Sequence, residues 1–326
     1  MKIGFTYDLR SVYLAMGYSD EETAEFDQES TIDAIESTLC QLGYETDRIG
    51  HVKQLVGRLH KGDRWDLVFN ICEGMYGIGR EAQVPALLDA YHIPYVFSSS
   101  LVMALTLDKG MTKRIIRDAG IASPDFYVVK KPEDISKVSL PFPLFSKPVA
   151  EGTGKGINPK SVVNNAVELN AVCLDLLSNF NQPVIVETFM SGREFTVGIT
   201  GTGDKARSVG VMEILLKENA ESDVYSYTNK EECEELIDYV VTVGEDKLKC
   251  EKLALDAFRV LGCEDGGRVD IRYDAAGSPN FLEINPLPGM HPEHSDLPIL
   301  CTLNDISYPE LMKMIMDSAK EKVKKH

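Results

Sequence analysis

No CxxC pair and no metal-finger spacing occurs among the seven cysteines of this 326-residue chain. Scattered thiols in odd number exclude a disulfide framework and read as reduced cysteine in the cytoplasm. Positive charge is also scarce. Only 34 Lys and Arg face 51 Asp and Glu, a formal net charge of −17, which argues against a nucleic-acid partner. The one dense lysine run, Lys320–Lys324, reads as the solvated end of a helix. No stretch approaches the roughly 20 apolar residues of a membrane span. The opening MKIGFTYD has neither a long apolar core nor a small-residue cleavage site, so a soluble cytoplasmic protein is expected. Internal repeats and low-complexity linkers are missing too. What remains is ordinary globular composition, 44% hydrophobic and 26% charged, with length for about two or three domains.

The first hundred residues alternate in period. Lys2–Tyr7 is a short apolar run, read as a buried strand. Glu29–Leu42 carries Ile32, Ile35 and Leu39 at helical spacing and stops at Gly43. Asp66–Ile71 reads as a strand, Ala82–Tyr91 as a helix and Pro94–Phe97 as a third short strand. Such alternation predicts a parallel sheet covered by helices. The pattern then turns strand-rich. Asp108–Ala119 and Val167–Leu177 read as helices, whereas Leu144–Val149, Val184–Phe189, Glu194–Thr200, Arg207–Leu216, Arg268–Tyr273 and Asn280–Ile284 read as strands. Ala220–Asp246 is acidic and weakly periodic, a mobile loop or short helix, and a terminal helix runs from about Pro309. The expected class is an α/β N-terminal domain joined to an α+β remainder.

Three segments carry candidate chemistry. In Arg268-Val269-Asp270-Ile271 and Phe281-Leu282-Glu283-Ile284-Asn285, strand alternation points Glu283 and Asn285 to one side. A turn at Gly277 making the two strands antiparallel neighbours would bring Asp270 to the same spot. Two carboxylates and an amide oxygen are hard ligands suited to Mg²⁺ beside phosphates. A surface salt bridge is the plain alternative. Lys147-Pro148 leads into Glu151-Gly152-Thr153-Gly154-Lys155-Gly156, a loop whose amides could approach an anion, or else a flexible hairpin tip. It is not a Walker loop, because Val149 and Gly156 stand where that motif requires Gly and Ser or Thr. Gly77–Ala82 fits the loose dinucleotide fingerprint, without the acid that should follow.

Taken in order, these segments resemble the D-alanine–D-alanine ligase family of the ATP-grasp superfamily. The resemblance runs nearly the whole chain, through Val68–Gly74, Gln83–Leu88, Ile93–Tyr95, Leu107–Lys109, Phe145–Pro148, Glu151–Gly156, Glu187 with Gly192–Val197, Arg268–Asp270, and Glu283–Asn285 with Pro288–Met290. It implies a parallel α/β domain over residues 1–105, followed by an ATP-grasp fold of two α+β subdomains over 106–188 and 189–326. It further implies a ligase in which a carboxylate attacks the γ-phosphate of ATP and an amine then displaces phosphate from the acyl phosphate. By position, Lys109 and Lys147 would hold phosphates beneath Glu151, Gly152, Thr153 and Gly154. Glu187, Thr188, Phe189 and Met190 would contact adenine, and Glu194 the ribose. Asp270, Glu283 and Asn285 would hold Mg²⁺ or Mn²⁺. Arg268 would bind the acyl phosphate, Lys230 would reach the γ-phosphate from a mobile loop, and Glu25 and Ser295 would take the two substrates. Small amino or carboxylic acids and a homodimer partner are implied likewise.

The sequence also departs from that family. Its usual HGxxGEDG is replaced by Asn70–Gly74 through Arg80-Glu81, and Glu231 stands where a tyrosine follows the mobile-loop lysine. The loop bearing Ser295 has one extra residue and places His294 and Asp296 beside it. ATP chemistry is therefore expected to be intact and the substrates different, with D-alanine a poor one. Rival readings are a ligase of other acids, a non-catalytic ATP-binding regulator and a nicotinamide oxidoreductase. The last rests on Gly77–Ala82 alone and lacks the ribose acid and the strand–glycine–helix order.

Overall fold

The computed structural model describes residues 1–217 and 233–324. In its first layer, β1 (Lys2–Tyr7) lies between β2 (Glu45–Arg48) and β3 (Leu67–Ile71), all parallel. Ile3, Phe5, Leu67, Phe69 and Ile71 turn to one core, and Val68 and Cys72 to another. After the short α1 (Arg10–Ala15), α2 (Glu29–Gln41) covers the first face through Ile32, Ile35 and Leu39. Helices α3 (Val52–His60) and α4 (Gln83–Ala90) cover the second with Leu55, Leu59, Val84 and Leu88. A parallel strand buried on both faces has no polar side, hence the near-continuous apolar runs of β1 and β3, whereas edge strand β2 is polar and half-exposed. Pro94–Phe97 corrects the sequence reading. It forms one bridge, Val68 to Tyr95, and Phe97 then turns away at φ 72°.

Helices α5 (Ser100–Leu107) and α6 (Lys109–Asp118) lead to a second, antiparallel sheet. Its strands are β4 (Phe126–Val129), β5 (Leu144–Pro148), β6 (Val162–Val163) and β7 (Val184–Thr188), in the order β4–β7–β5–β6. Val129, Leu144, Val184 and Val186 pack under α7 (Ala166–Phe180), which leaves Phe145, Lys147 and Glu187 on the opposite face.

The third sheet is antiparallel as well. Strands β8 (Glu194–Thr200), β9 (Arg207–Leu216), β10 (Ile237–Val241), β11 (Gly266–Tyr273) and β12 (Pro279–Asn285) run in the order β10–β9–β8–β11–β12. Edge strand β10 corrects the reading of Ala220–Asp246 over its described end. Phe195, Val197, Val269 and Ile271 bury one face against Leu253, Ala254, Ala257 and Phe258 of α8 (Gly244–Val260). After α9 (Asp296–Leu303), α10 (Tyr308–Val323) returns to the first layer, where Leu311, Met312, Ile315 and Met316 join Ile3 and Phe5 in one core. Asp265 fixes that return. Its carboxylate accepts the Phe97 N–H at 2.9 Å and the Ser318 hydroxyl at 2.8 Å, and pairs with Lys322 at 2.7 Å.

Candidate active site

Gly277, at φ 78°, turns the chain between β11 and β12, and the register places Arg268 opposite Asn285 and Asp270 opposite Glu283. The antiparallel pairing expected from sequence is thus present. Asp270 accepts the Thr196 hydroxyl at 2.9 Å, the Asn285 amide at 3.3 Å and Arg268 Nη1 at 2.6 Å. Arg268 also lies 3.3 Å from Asp296, the first residue of α9. Glu283 faces across to the second sheet, 3.1 Å from Lys147 Nζ and 3.9 Å from Lys109 Nζ. One carboxylate therefore joins both phosphate-lysine candidates.

Behind them lies a buried chain of charge. Lys147 is 3.7 Å from one Glu187 oxygen, and Lys113 Nζ is 2.7 Å from the other. Burial opposes the charge of Lys147, but Glu283 and Glu187 outweigh it and push its pKa up. For Lys109 and Lys113 burial wins, and both are pushed down. Glu187 is held below the usual carboxylate range, because Lys113 and Lys147 outweigh its desolvation. Lys113 was not among the residues singled out from sequence. The signal was available: it follows Lys109 by four residues, so the two share one face of α6.

The glycine loop closes this cleft from above. Thr153, Gly154 and Gly156 take φ of 51°, 73° and 75°, and a Cβ on Gly156 would stand 2.7 Å from Pro148 Cγ. Only glycine fits that close, left-handed position. Lys109 Nζ donates to the Glu151 carbonyl at 2.5 Å, tying the loop to α6. Glu187, Thr188, Phe189, Met190 and Glu194 line a slot with Phe145, Ile157 and Leu282. Its apolar walls and polar rim suit a flat heterocycle. Arg272 sits 5.2 Å from the Phe189 ring and 3.5 Å from Glu194.

The substrate candidates are placed less simply. Glu25 reaches the loop, accepting the Gly152 N–H at 2.6 Å, but Arg80 pairs with it at 2.7 Å and Lys155 stands at 3.8 Å. Arg80 also donates to the Ala150 carbonyl at 2.8 Å. Here the sequence reading needs correction: β3, the glycines and α4 do follow in strand–glycine–helix order, and the turn delivers Arg80 to Glu25. Ser295 accepts the His291 N–H at 2.9 Å at the start of α9, next to Asp296. Lys230 lies outside the described residues. No cluster of three or more His, Cys, Asp or Glu fit for a metal occurs among the described residues. Asp270, Glu283 and Asn285 make a partial oxygen shell, which suits Mg²⁺ when phosphate oxygens complete it.

The model of the D-Ala–D-Ala ligase C-terminus matches residues 115–317. A D-alanine–D-alanine ligase from Aquifex aeolicus is 32% identical over 311 residues, covering 94% of this chain and all of that protein. The chain belongs to the D-alanine–D-alanine ligase family. Another member, from Bordetella avium, is 33% identical over 80% of each chain. The family's ATP-grasp fold is seen in the Bacillus anthracis D-alanine–D-alanine ligase complexed with ATP, which superposes with a TM-score of 0.74 at 23% identity, over all of this chain and 99% of that one. VanG D-Ala:D-Ser ligase from Enterococcus faecalis superposes with a TM-score of 0.74 at 20% identity, over 98% and 99%.

Proposed function

We propose that this family member is an ATP-dependent carboxylate–amine ligase that joins two small amino or carboxylic acids through an acyl phosphate. The observation that carries the reading is the meeting of Lys109, Lys147, Glu187 and Glu283 in one cleft, with Asp270 paired opposite Glu283. The lysines neutralise the charge on the phosphates, and the glycine loop folds over them to exclude water from a readily hydrolysed acyl phosphate. Thr188–Met190 and Glu187 hold the adenine, and Glu194 the ribose. Arg268, held by Asp270 and Asp296, is positioned to stabilise the oxyanion when the amine attacks. Asp270, Glu283 and Asn285 would hold Mg²⁺, which supplies charge neutralisation at the phosphates. Ser295, beside Asp296, would take the second substrate's carboxylate, and Lys230 the γ-phosphate. The chain would act in the cytoplasm as a homodimer, as the family resemblance implies.

A screen of amino-acid pairs with ATP and Mg²⁺, read by phosphate release and product mass, tests this. Phosphate release that needs both partners, with a product lighter than their sum by one water, is expected. Full ATP binding with no phosphate release from any pair overturns the reading.

A further inference from the structure

Three contacts of Arg272 fall on one short segment of chain. Its Nε donates to the Gly192 carbonyl at 3.2 Å, the guanidinium lies 5.2 Å from the centre of the Phe189 ring, and Nη1 stands 3.5 Å from Glu194 Oε2. That segment, residues 189–194, links β7 of the second sheet to β8 of the third, and it carries candidates for both base and ribose. Arg272 itself comes from β11, where the register sets it directly opposite Glu194. The link is stapled to the same strand. The Gly192 N–H donates to the Tyr273 carbonyl and the Tyr273 N–H to the Arg193 carbonyl, both at 2.9 Å. A Cβ on Gly192 would stand 2.5 Å from that Tyr273 oxygen, so the link is seated hard against β11.

Arg272 also lines the slot itself, among the apolar side chains of Phe145, Ile157, Phe189 and Leu282. A mostly covered cation between such walls is costly unless it is paired. Glu194 supplies the charge and Phe189 the aromatic face. We propose that Arg272 is the positioning residue of the nucleotide slot: by bracing the link and clamping the Glu194 carboxylate, it makes the site select a ribonucleotide over a 2′-deoxyribonucleotide. The inference rests on the nucleotide assignment made above and names the residue that sets its sugar specificity. A glutamate loses rotamer freedom when it accepts from a sugar hydroxyl, and that loss weakens the contact. Here the planar guanidinium fixes the carboxylate before the nucleotide arrives, so the cost is met in folding and not in binding. The same guanidinium offers the base a cationic face. That second contact is blind to the sugar, so the two contributions separate in a comparison of nucleotides that differ only at the 2′ position.

Calorimetry on the full chain with Mg²⁺, titrating ADP and 2′-deoxy-ADP, tests the proposal without turnover. The unaltered chain should bind ADP about 10- to 100-fold more tightly, the range of one hydrogen bond to a charged acceptor. Arg272→Met should shrink that ratio to about 3-fold or less, by weakening ADP more than 2′-deoxy-ADP. Arg272→Lys keeps the charge but not the planar fork, so its ratio should fall in between. Glu194→Gln should erase the preference, and adding Arg272→Met to it should change the ratio no further. A merely structural arginine would lower Tm, or both affinities alike, and leave the ratio alone. An undiminished ratio in Arg272→Met, or in Arg272→Lys should the first variant fail to fold, overturns the proposal. So does equal binding of the two nucleotides by the unaltered chain. Binding of neither overturns the nucleotide assignment along with it. The expected ratios without phosphate release from any amino-acid pair would instead uphold the role of Arg272 and sink the ligase reading.

Discussion

Lys113 holds its charge with no solvent contact, 2.7 Å from Glu187. Removing one member of a buried pair strands the other, so Lys113→Met should cost about 3 kcal/mol in urea unfolding. Lys147, 3.7 Å away, limits the loss, and Lys113→Met with Glu187→Gln should recover most of it. Equal destabilisation in the single and double variants would show that Lys113 acts through packing alone. Glu283 is a different case, since it touches both phosphate lysines from the rim of the cleft. Glu283→Gln should lower the turnover of phosphate release by about 10²-fold, and near-normal turnover removes it from the reacting site. Glu81 sets a pH dependence. Its folded pKa of about 7 exceeds the ordinary 4.5, so between these values the folded state binds more protons than the unfolded one. Stability contributed by this group is therefore lost as pH rises through that window, by up to about 1.4 kcal/mol per pH unit. Thermal unfolding from pH 5.5 to 8 should show a falling Tm, and Glu81→Gln should flatten the fall. An unchanged slope in the variant would place the titration elsewhere.

At the scale of elements, the glycine loop after β5 is anchored at its start, by Gly152 to Glu25, Lys109 to the Glu151 carbonyl and Gln182 to Glu151. Its amides at Gly152–Gly156 should exchange with solvent quickly in the free protein and slowly once ATP and an acyl-phosphate mimic are bound. Equal rates in both states would deny it a lid role. Elements with clear bounds were legible in the sequence: β8 and β9 fall where strand-like runs between turns put them, and α2 ends within one residue of its expected stop. The pairing of Asp270 with Glu283 was legible because a glycine turn joins two apolar strands. Edge strand β10 was not, since its alternation (Ile237, Tyr239) sits in an acidic stretch. Neither was the Arg80–Glu25 pair. Its members lie 55 residues apart and meet only because β3 and the loop before α2 end at the same side of the first sheet.

The whole molecule is closed by its own far end. Ile315 on α10 is fully buried in the core that includes Ile3, Phe5 and Phe69. Ile315→Ala should cost about 2–5 kcal/mol, and intrinsic fluorescence and circular dichroism should report one coincident transition. A variant in which the first layer melts early while the two antiparallel sheets persist would show that the layers are energetically separate. The placement of α10 also bears on how the protein is made. On the ribosome, β1, β2 and β3 emerge roughly 240 residues or more before the helix that covers their inner face. At about 5–20 residues per second that is about 12–50 s of waiting. For that time Phe5 and Phe69 have α2 but not α10 for cover, so a segment made early is among the last to reach its native packing, and it is the natural client for a chaperone.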